Sequence, residues 1–213
     1  MAIEKEIKLA LPGDPRDAVA FFERTSGQPG VAKTVSNAYF DTPDCLLAAR
    51  RMALRLRQIG GAWRQTLKTS GDAHDGLHVR HEWELPVQGP ALEIESLLAE
   101  CDDAAARAAL TEAAPRLERL FSTDFVRTAW LLEADDSRFE AVVDVGEIHA
   151  ARTSGGEAHP QRAPICEIEV ELLEGNDDAL RAFAERVVAA LPGASRADVS
   201  KAERGYLLVR GHR

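Results

Sequence analysis

Carboxylates recur at every second position along several short runs of this chain: Glu4 and Glu6, Glu82 and Glu84, and Glu167, Glu169 and Glu171. Asp144 stands in the same rhythm as Glu140. In an extended strand, residues two apart point to one face with their Cα atoms roughly 6–7 Å apart. Two such pairs on neighbouring strands can converge on a hard divalent cation. Mg²⁺ takes oxygen ligands at about 2.0–2.1 Å and usually keeps several waters, which leaves places for phosphate oxygens. Bases follow the same rhythm. Lys8 continues the Glu4 and Glu6 face, Arg55 pairs with Arg57, Arg64 with Lys68, and Arg80 leads into Glu82. Arginine clamps phosphate oxygens bidentately and lysine contributes a point charge. A site holding both signs fits a metal-bound polyanion better than a bare metal or a bare anion. The run E-x-E-x-K is by itself a weak pattern.

The positions between the charges are apolar: Ile3, Ile7 and Leu9; Leu54 and Leu56; Trp63 and Leu67; Trp83 and Leu85; Phe139, Val143 and Val145; Ile168, Val170 and Leu172. Two architectures satisfy that alternation. One is an antiparallel sheet with its apolar face on a core and its charged face in water. The other is a closed barrel whose apolar exterior is covered by helices and whose interior is charged. The Arg55/Arg57 run is basic, whereas Glu167/Glu169/Glu171 is wholly acidic. A face serving solubility alone intersperses its signs, so the segregation favours the barrel.

Turn and cap signals delimit the elements. A strand from Ala2 to Leu11 stops at Pro12-Gly13, and Asp14-Pro15 opens a helix that ends near Gly27. A second strand covers 35–41, and Thr42-Pro43 opens a short helix. Strands 53–59 and 63–69 flank Gly60-Gly61, a hairpin signal. A polar loop at 70–76 leads to a strand at about 78–85. Residues 91–120 read as a helical insertion broken near Asp102-Asp103. Strands follow at about 125–133 and 138–149, then a mobile loop at about 153–163, then a strand at 165–173. Asn176 caps a helix to about Leu191, and Ser200 caps a short terminal helix. Nothing divides the chain, so residues 1–213 read as a single α+β domain of roughly eight strands with peripheral helices.

Composition narrows the partners. Among 213 residues, acids outnumber bases 35 to 26, for a net charge of −9. That balance argues against broad binding to nucleic acid or an anionic membrane. No window approaches the roughly 20 apolar residues of a membrane span. The first residues carry charge where a signal peptide needs an apolar stretch. Cys45, Cys101 and Cys166 are an odd, widely spaced set, read as reduced thiols in a cytoplasmic protein.

Taken in order, the motifs resemble the CYTH superfamily, the triphosphate tunnel metalloenzymes, and most of all its bacterial inorganic triphosphatases. The resemblance rests on Glu4, Glu6 and Lys8, then "NAYFDTPDCLLA", "ALRLRQ", "QTLK", "GLHVRHEWE", "FSTDFVRTAW" with Arg127, the Asp144 strand, "CEIEVELLEG", and "SKAERGYLL" with Lys201. It implies an eight-stranded antiparallel β-barrel forming a tunnel, with chemistry on triphosphates that depends on Mg²⁺ or Mn²⁺. By the same resemblance, Glu4, Glu6, Asp144, Glu167 and Glu169 would hold metal. Lys8, Arg55, Arg57, Lys68, Arg127 and Lys201 would grip the triphosphate. Glu169 or Glu171 would polarise the attacking water, and Glu82 would line the tunnel and orient a base or a water. Longer relatives carry a histidine-rich helical domain after this one, and the sequence stops at Arg213.

Several of these residues have a plainer reading. Asp144 suits a strand-end turn, Arg127 a structural pairing with a neighbouring carboxylate, and Ser200 a helix cap. His78 and His81 lie three apart, on opposite faces of one strand, and read as surface or packing residues. Cys166 shares parity with Ile168 and faces away from the charges. The expected activity is hydrolysis of inorganic triphosphate to pyrophosphate and phosphate. Thiamine triphosphatase and class IV adenylyl cyclase are rivals within the superfamily, and a non-catalytic triphosphate or nucleotide sensor is a rival of another class. Oligomeric state is not legible here.

Overall fold

The computed structural model describes residues 2–69, 73–74, 77–154 and 157–210, with the backbone alone for 2–3, 73–74, 152–154 and 157–158. The strands are β1 (Ala2–Ala10), β2 (Val31–Asp41), β3 (Met52–Ile59), β4 (Ala62–Thr69), β5 (Ala73–His74), β6 (Leu77–Val87), β7 (Glu118–Ala134), β8 (Ser137–Ser154), β9 (Glu157–Glu174) and β10 (Ser195–Arg196). The helices are α1 (Pro15–Ser26), α2 (Leu46–Ala49), α3 (Ile94–Glu100), α4 (Ala104–Ala113), α5 (Asp177–Ala190) and α6 (Lys201–Arg210).

An eight-stranded antiparallel ring closes in the order β1, β9, β8, β7, β2, β3, β4, β6 and back to β1. β1 is the seam. One edge pairs with β9 through Glu6–Ala10; the other pairs with β6 through Ala2–Ile7 and then with β10 at Leu9 and Ala10. The run that carries Glu4, Glu6 and Lys8 therefore touches both ends of the sheet. Closure pairs both edges of the central sheet, while β8 and the first half of β9 run on beyond it as a hairpin.

Paired residues on a ladder project to the same side, so register sorts the two faces. Arg127 pairs with Asp144 and Asp144 with Glu167, which places these charges together on the inside. Much of the outside is apolar and covered, although Val126 and Val145 stay exposed there. α1 and α5 pack Phe22, Leu180, Phe183 and Val187 against Ile7, Leu9, Phe139, Ile168 and Val170. α3 and α4 bring Leu97, Ala109 and Leu110 onto Leu54, Leu67 and Trp83. Fully burying one such Leu or Phe contributes roughly 1.5–3 kcal/mol. The helix ends follow their caps: Asp14 accepts from the Arg16 amide at 2.9 Å, Asp103 from Ala106 at 2.7 Å and Asn176 from Ala179 at 2.9 Å. Gly27 ends α1 at φ 70°, a conformation glycine adopts without cost.

Three expectations change. The barrel interior is not uniformly charged. Val35, Tyr39, Phe121, Phe125, Ile148 and Ile165 share the inward face and pack with Tyr206 of α6, so this helix forms an apolar inner wall. β7 begins at Glu118, inside the stretch read as helical to 120, because the β2 ladder reaches back to it at Asp41. Residues 153–154 and 157–163 belong to strands rather than a mobile loop. The β8–β9 register continues to Ser154 and Glu157, and backbone ladder bonds need no apolar side chains. The polar loop at 70–76 contains the short β5; its remaining residues, and the tip at 155–156, lie outside the described residues.

Gly146 sits mid-strand in β8, between Phe125 and Ile165. A Cβ there would lie 2.2 Å from the Asp124 carbonyl oxygen and 2.5 Å from the Phe125 Cα, both backbone atoms that cannot step aside. Gly146→Ala is expected to lower stability by about 1–3 kcal/mol. Urea denaturation of the two proteins measures it, and an unchanged midpoint would show that β7 and β8 separate there freely.

Candidate active site

Asp144 on β8 and Glu167 and Glu169 on β9 are brought together by register, and all three are buried. Their carboxylate oxygens lie within 4.8 Å of one another. The Lys201 ammonium reaches into this group, 2.7 Å from Asp144 Oδ2, 2.5 Å from Glu167 Oε1 and 2.9 Å from Glu169 Oε1. A reciprocal cap aims the lysine. The Ser200 amide donates to Glu203 Oε2 at 2.7 Å and the Glu203 amide to Ser200 Oγ at 3.2 Å, fixing the first turn of α6. From β7, Arg127 donates to both Asp144 oxygens at 2.8 and 2.7 Å and to Glu169 Oε2 at 2.6 Å. Arg204 donates to Glu167 Oε2 at 3.2 Å.

These cations decide the protonation states. Burial alone would raise the pKa of Glu169, but Lys201, Lys8 and Arg127 outweigh it and hold that carboxyl well below the usual range. Asp144 is lowered for the same reason, burial being overcome by Lys201 and Arg127. Lys201 is raised, since the three carboxylates outweigh its burial. Asp144 and Glu169 are thereby held ionised beside a protonated Lys201.

A second zone continues along the inner face. Lys8 contacts Glu169 on one side and Glu6 on the other, the latter at 3.0 Å. Glu6 Oε1 also receives Arg80 Nη2 at 3.3 Å. Lys68 joins Glu4 at 2.7 Å to Glu82 at 2.8 Å, and Arg55 approaches Glu82 at 3.5 Å. Glu171 pairs in register with Glu6 and with Glu140. Burial, Glu4, Glu6 and Glu140 push its carboxyl up to about 7. Arg57 donates to the neutral amide oxygen of Asn37 at 2.8 Å. Burial and the nearby Arg55 and Arg127 push its guanidinium down to about 10.

A cavity of about 420 Å³ opens between these zones and α6. Lys8, Arg55, Arg57, Lys68, Arg127 and Lys201, the six bases assigned to phosphate, all line it, as do Glu4, Glu6 and Glu169. Asp144 and Glu167 stand behind Lys201 and Arg127, and Glu82 and Glu171 are likewise not part of the lining. The facing wall carries Tyr39, Met52, Tyr206 and Leu207. Glu4 and Glu6 do not join the three-carboxylate group, since Lys8 stands between Glu6 and Glu169. The three carboxylates supply the hard oxygen donors that a divalent cation such as Mg²⁺ takes. Their oxygens already surround one cation, the Lys201 ammonium, so the donor set fits.

Sequence reasoning left Arg80 and Arg204 out of the site. Arg80 shares parity with Glu82 and was within reach; Arg204 comes from α6, whose orientation no pattern in the sequence reports. His78, read as packing, bonds to Arg80. Ser200 is the cap expected. Arg127 does make the structural pairing with Asp144 that the plainer reading anticipated, and it also faces the cavity.

Among the described residues no helix is long and apolar enough to cross a membrane. The chain is 38% identical over 177 residues to an inorganic triphosphatase of Haemophilus influenzae. That alignment takes in 82% of this chain and 46% of the relative, so the chain spans about half the length of the curated relative it matches. Among solved structures, a Hippeastrum protein described as having a dominant triphosphatase activity superposes with a TM-score of 0.63 at 19% identity, covering 93% of this chain and 92% of that one. A Bacillus halodurans protein described as an adenylate cyclase candidate gives 0.58 at 18% identity, covering 96% and 98%. Both share the fold. The CYTH domain family matches residues 2–206, from the first strand into the last helix, and the chain belongs to the CYTH family.

Proposed function

We propose that this chain is a hydrolase that depends on a divalent metal and cleaves inorganic triphosphate to pyrophosphate and phosphate. One observation carries the reading: Glu169, the cavity-facing member of the buried carboxylate group, and six bases meet at a single cavity, with Asp144 and Glu167 joined to it from behind through Arg127 and Lys201. The likeness to the Haemophilus influenzae inorganic triphosphatase supports it.

In this reading Asp144, Glu167 and Glu169 would hold the metal, Mg²⁺ or alternatively Mn²⁺, with Glu4 and Glu6 completing the acidic side from β1. When bound, the cation neutralises charge on the phosphate oxygens. Arg55, Arg57 and Arg127 clamp the triphosphate, and Lys8, Lys68 and Lys201 add point charges along it. Holding the chain in line is most of the task, because phosphoryl transfer asks little covalent work of the protein. Glu169 faces the cavity and orients the attacking water. Glu171, two positions along the same strand and set back from the lining, is the alternative carboxylate for polarising that water, and Glu82 fixes Lys68 and Arg55. The free cysteines fit a cytoplasmic enzyme. A second reading has an observation of its own: the apolar wall of Tyr39, Met52, Tyr206 and Leu207 offers room for an organic group, as in thiamine triphosphate or a nucleotide.

Phosphate release from tripolyphosphate is expected with Mg²⁺ and lost in excess EDTA, with ATP and thiamine triphosphate turned over more slowly. Equal release in EDTA would overturn the metal requirement, and faster turnover of either ester would favour the second reading. Arg57→Ala is expected to raise KM about ten- to a hundredfold, the worth of a hydrogen bond to a charged group. Asp144→Asn should instead raise the Mg²⁺ concentration needed for half-maximal rate. Steady-state kinetics titrated in both substrate and metal separate the two.

The lysine gives a third test. Removing one partner of a buried ion pair costs about 3–5 kcal/mol, because the remaining charge is left uncompensated. Lys201→Met is therefore expected to melt lower than wild type without metal and to gain more from added Mg²⁺, which need not displace an ammonium. Melting curves with and without Mg²⁺ check it. An unchanged metal-free melting temperature would show that the carboxylates are compensated without Lys201.

A further inference from the structure

His78 is buried at 3% exposure on β6, opposite Glu6 of β1 in the ladder. Its Nδ1 lies 2.6 Å from Arg80 Nη2 and its Nε2 lies 3.2 Å from the Ala197 carbonyl oxygen. These neighbours settle the tautomer. A guanidinium only donates, so Nδ1 must accept; a carbonyl only accepts, so Nε2 carries the proton and donates. Burial, then Arg80 and Lys8, lower the imidazole pKa, in keeping with a neutral ring. The ring is thus fully engaged at both nitrogens.

The same Nη2 of Arg80 that meets His78 also reaches Glu6 Oε1 at 3.3 Å, using the second of its two hydrogens. Arg80 lines the cavity. At the other end, Ala197 is anchored by its own amide, which donates to the Lys8 carbonyl at 3.0 Å, three residues before Ser200 caps α6. A rigid ring therefore spans from the segment between β10 and α6 to one guanidinium of the cavity wall. Arginine has a long side chain with about 2 kcal/mol of rotamer entropy to lose, so an acceptor that fixes one of its nitrogens pre-organises the rest.

We propose that His78 is a positioning residue: it holds Arg80 toward the cavity, so that Arg80 acts as a seventh base gripping the phosphate chain. This rests on the triphosphate reading above. When phosphate oxygens replace Glu6 as the partner of Arg80, the bond to His78 keeps the guanidinium in place.

Two shorter amides divide the two bonds of the ring. Asparagine puts a polar atom near the Nδ1 position and retains an acceptor for Arg80; glutamine reaches the Nε2 position and retains the bond to Ala197 while losing the acceptor. The measurements are steady-state hydrolysis of tripolyphosphate with Mg²⁺ and calorimetric binding of tripolyphosphate in EDTA. The proteins are wild type, H78Q, H78N, R80A and the H78Q/R80A double variant, each with a melting curve. R80A and H78Q are expected to raise KM and Kd about tenfold with a smaller loss in kcat, as for a lost bond to a charged group. H78N should stay within about threefold of wild type. The double variant should bind no more weakly than R80A, since the histidine acts through the arginine. The inference is overturned if H78Q binds within twofold of wild type while R80A is weak. It is also overturned if the double variant loses the product of the single losses, or if H78N and H78Q fall equally. If wild type neither binds nor hydrolyses tripolyphosphate, the function proposed above fails first and this role falls with it.

Discussion

Three buried carboxylates cannot remain ionised in a protein interior without cations beside them, and the rest of this structure follows from how that requirement is met. Desolvating each charge costs several kcal/mol, which only close opposite charges and hydrogen bonds recover. Asp144, Glu167 and Glu169 find those partners in Arg127 and Lys201. Arg127 comes from the neighbouring strand, so register supplies it. Lys201 comes from α6, and a helix must be brought into the barrel to deliver it. Gly205 permits that approach. A Cβ there would lie 2.1 Å from the Phe121 ring, so the helix rests on Phe121 at a distance no side chain allows. Tyr206 then meets Phe121 edge to face at 5.1 Å. The apolar inner wall and the charged centre are two sides of one docking event.

Closure of the barrel answers the same requirement on a larger scale. An open sheet with this inward face would leave the acids and bases in water, where ion pairs are worth little and order nothing. Closed, the sheet turns an apolar face to the helices outside and encloses the charged residues of β1, β3, β4, β6, β8 and β9 beside the apolar wall that α6 covers. β1 makes the closure and also carries Glu4, Glu6 and Lys8. Its Lys8 lies at the junction between the carboxylate group of β9 and the Glu6–Arg80 pair facing β6. The seam of the fold and the middle of the site are the same residues.

How much of this the sequence discloses depends on whether a feature is local. Alternation is local, so the inward placement of Glu4, Lys8, Arg55, Arg57, Lys68 and Glu169 was legible from parity, and all six line the cavity. Caps are local too, and Asp14, Asn176 and Ser200 mark their helices, while the break read at Asp102-Asp103 holds the cap of α4. What lay beyond reach depends on register or docking. Parity cannot say that Asp144 falls opposite Glu167 while Glu6 falls opposite Glu171, yet that difference separates the carboxylate group from Glu6. Nor could it place Arg204, or reveal that α6 docks on an apolar part of the inner face made by Phe121, Phe125 and Ile148. The stretch 153–163 was misread because its Gly and Pro suggest a loop, whereas the hairpin register carries the ladder through it. His78, read as a surface or packing residue, is indeed buried, but parity could not name its partners, an arginine and a backbone carbonyl.

The charges are also graded along the tunnel rather than balanced everywhere. At the centre, Lys201, Arg127 and Lys8 compensate Asp144 and Glu169, whose carboxyls are held below the ordinary range. Away from it the balance fails in opposite directions. Arg57, buried beside Arg55 and Arg127, is pushed down to about 10, the mark of a cation in need of an anion. Glu171, buried beside Glu4, Glu6 and Glu140, is pushed up to about 7, the mark of an anion in need of a cation. A ligand that carries both signs would answer both, whereas an ion of one sign would answer only one. The fold tolerates this frustration because the compensated centre and the apolar layers outside it hold the strands in place. That division of labour, stability from the middle and outside and unmet charge at the two flanks, is what lets a rigid barrel keep a site poised for its ligand.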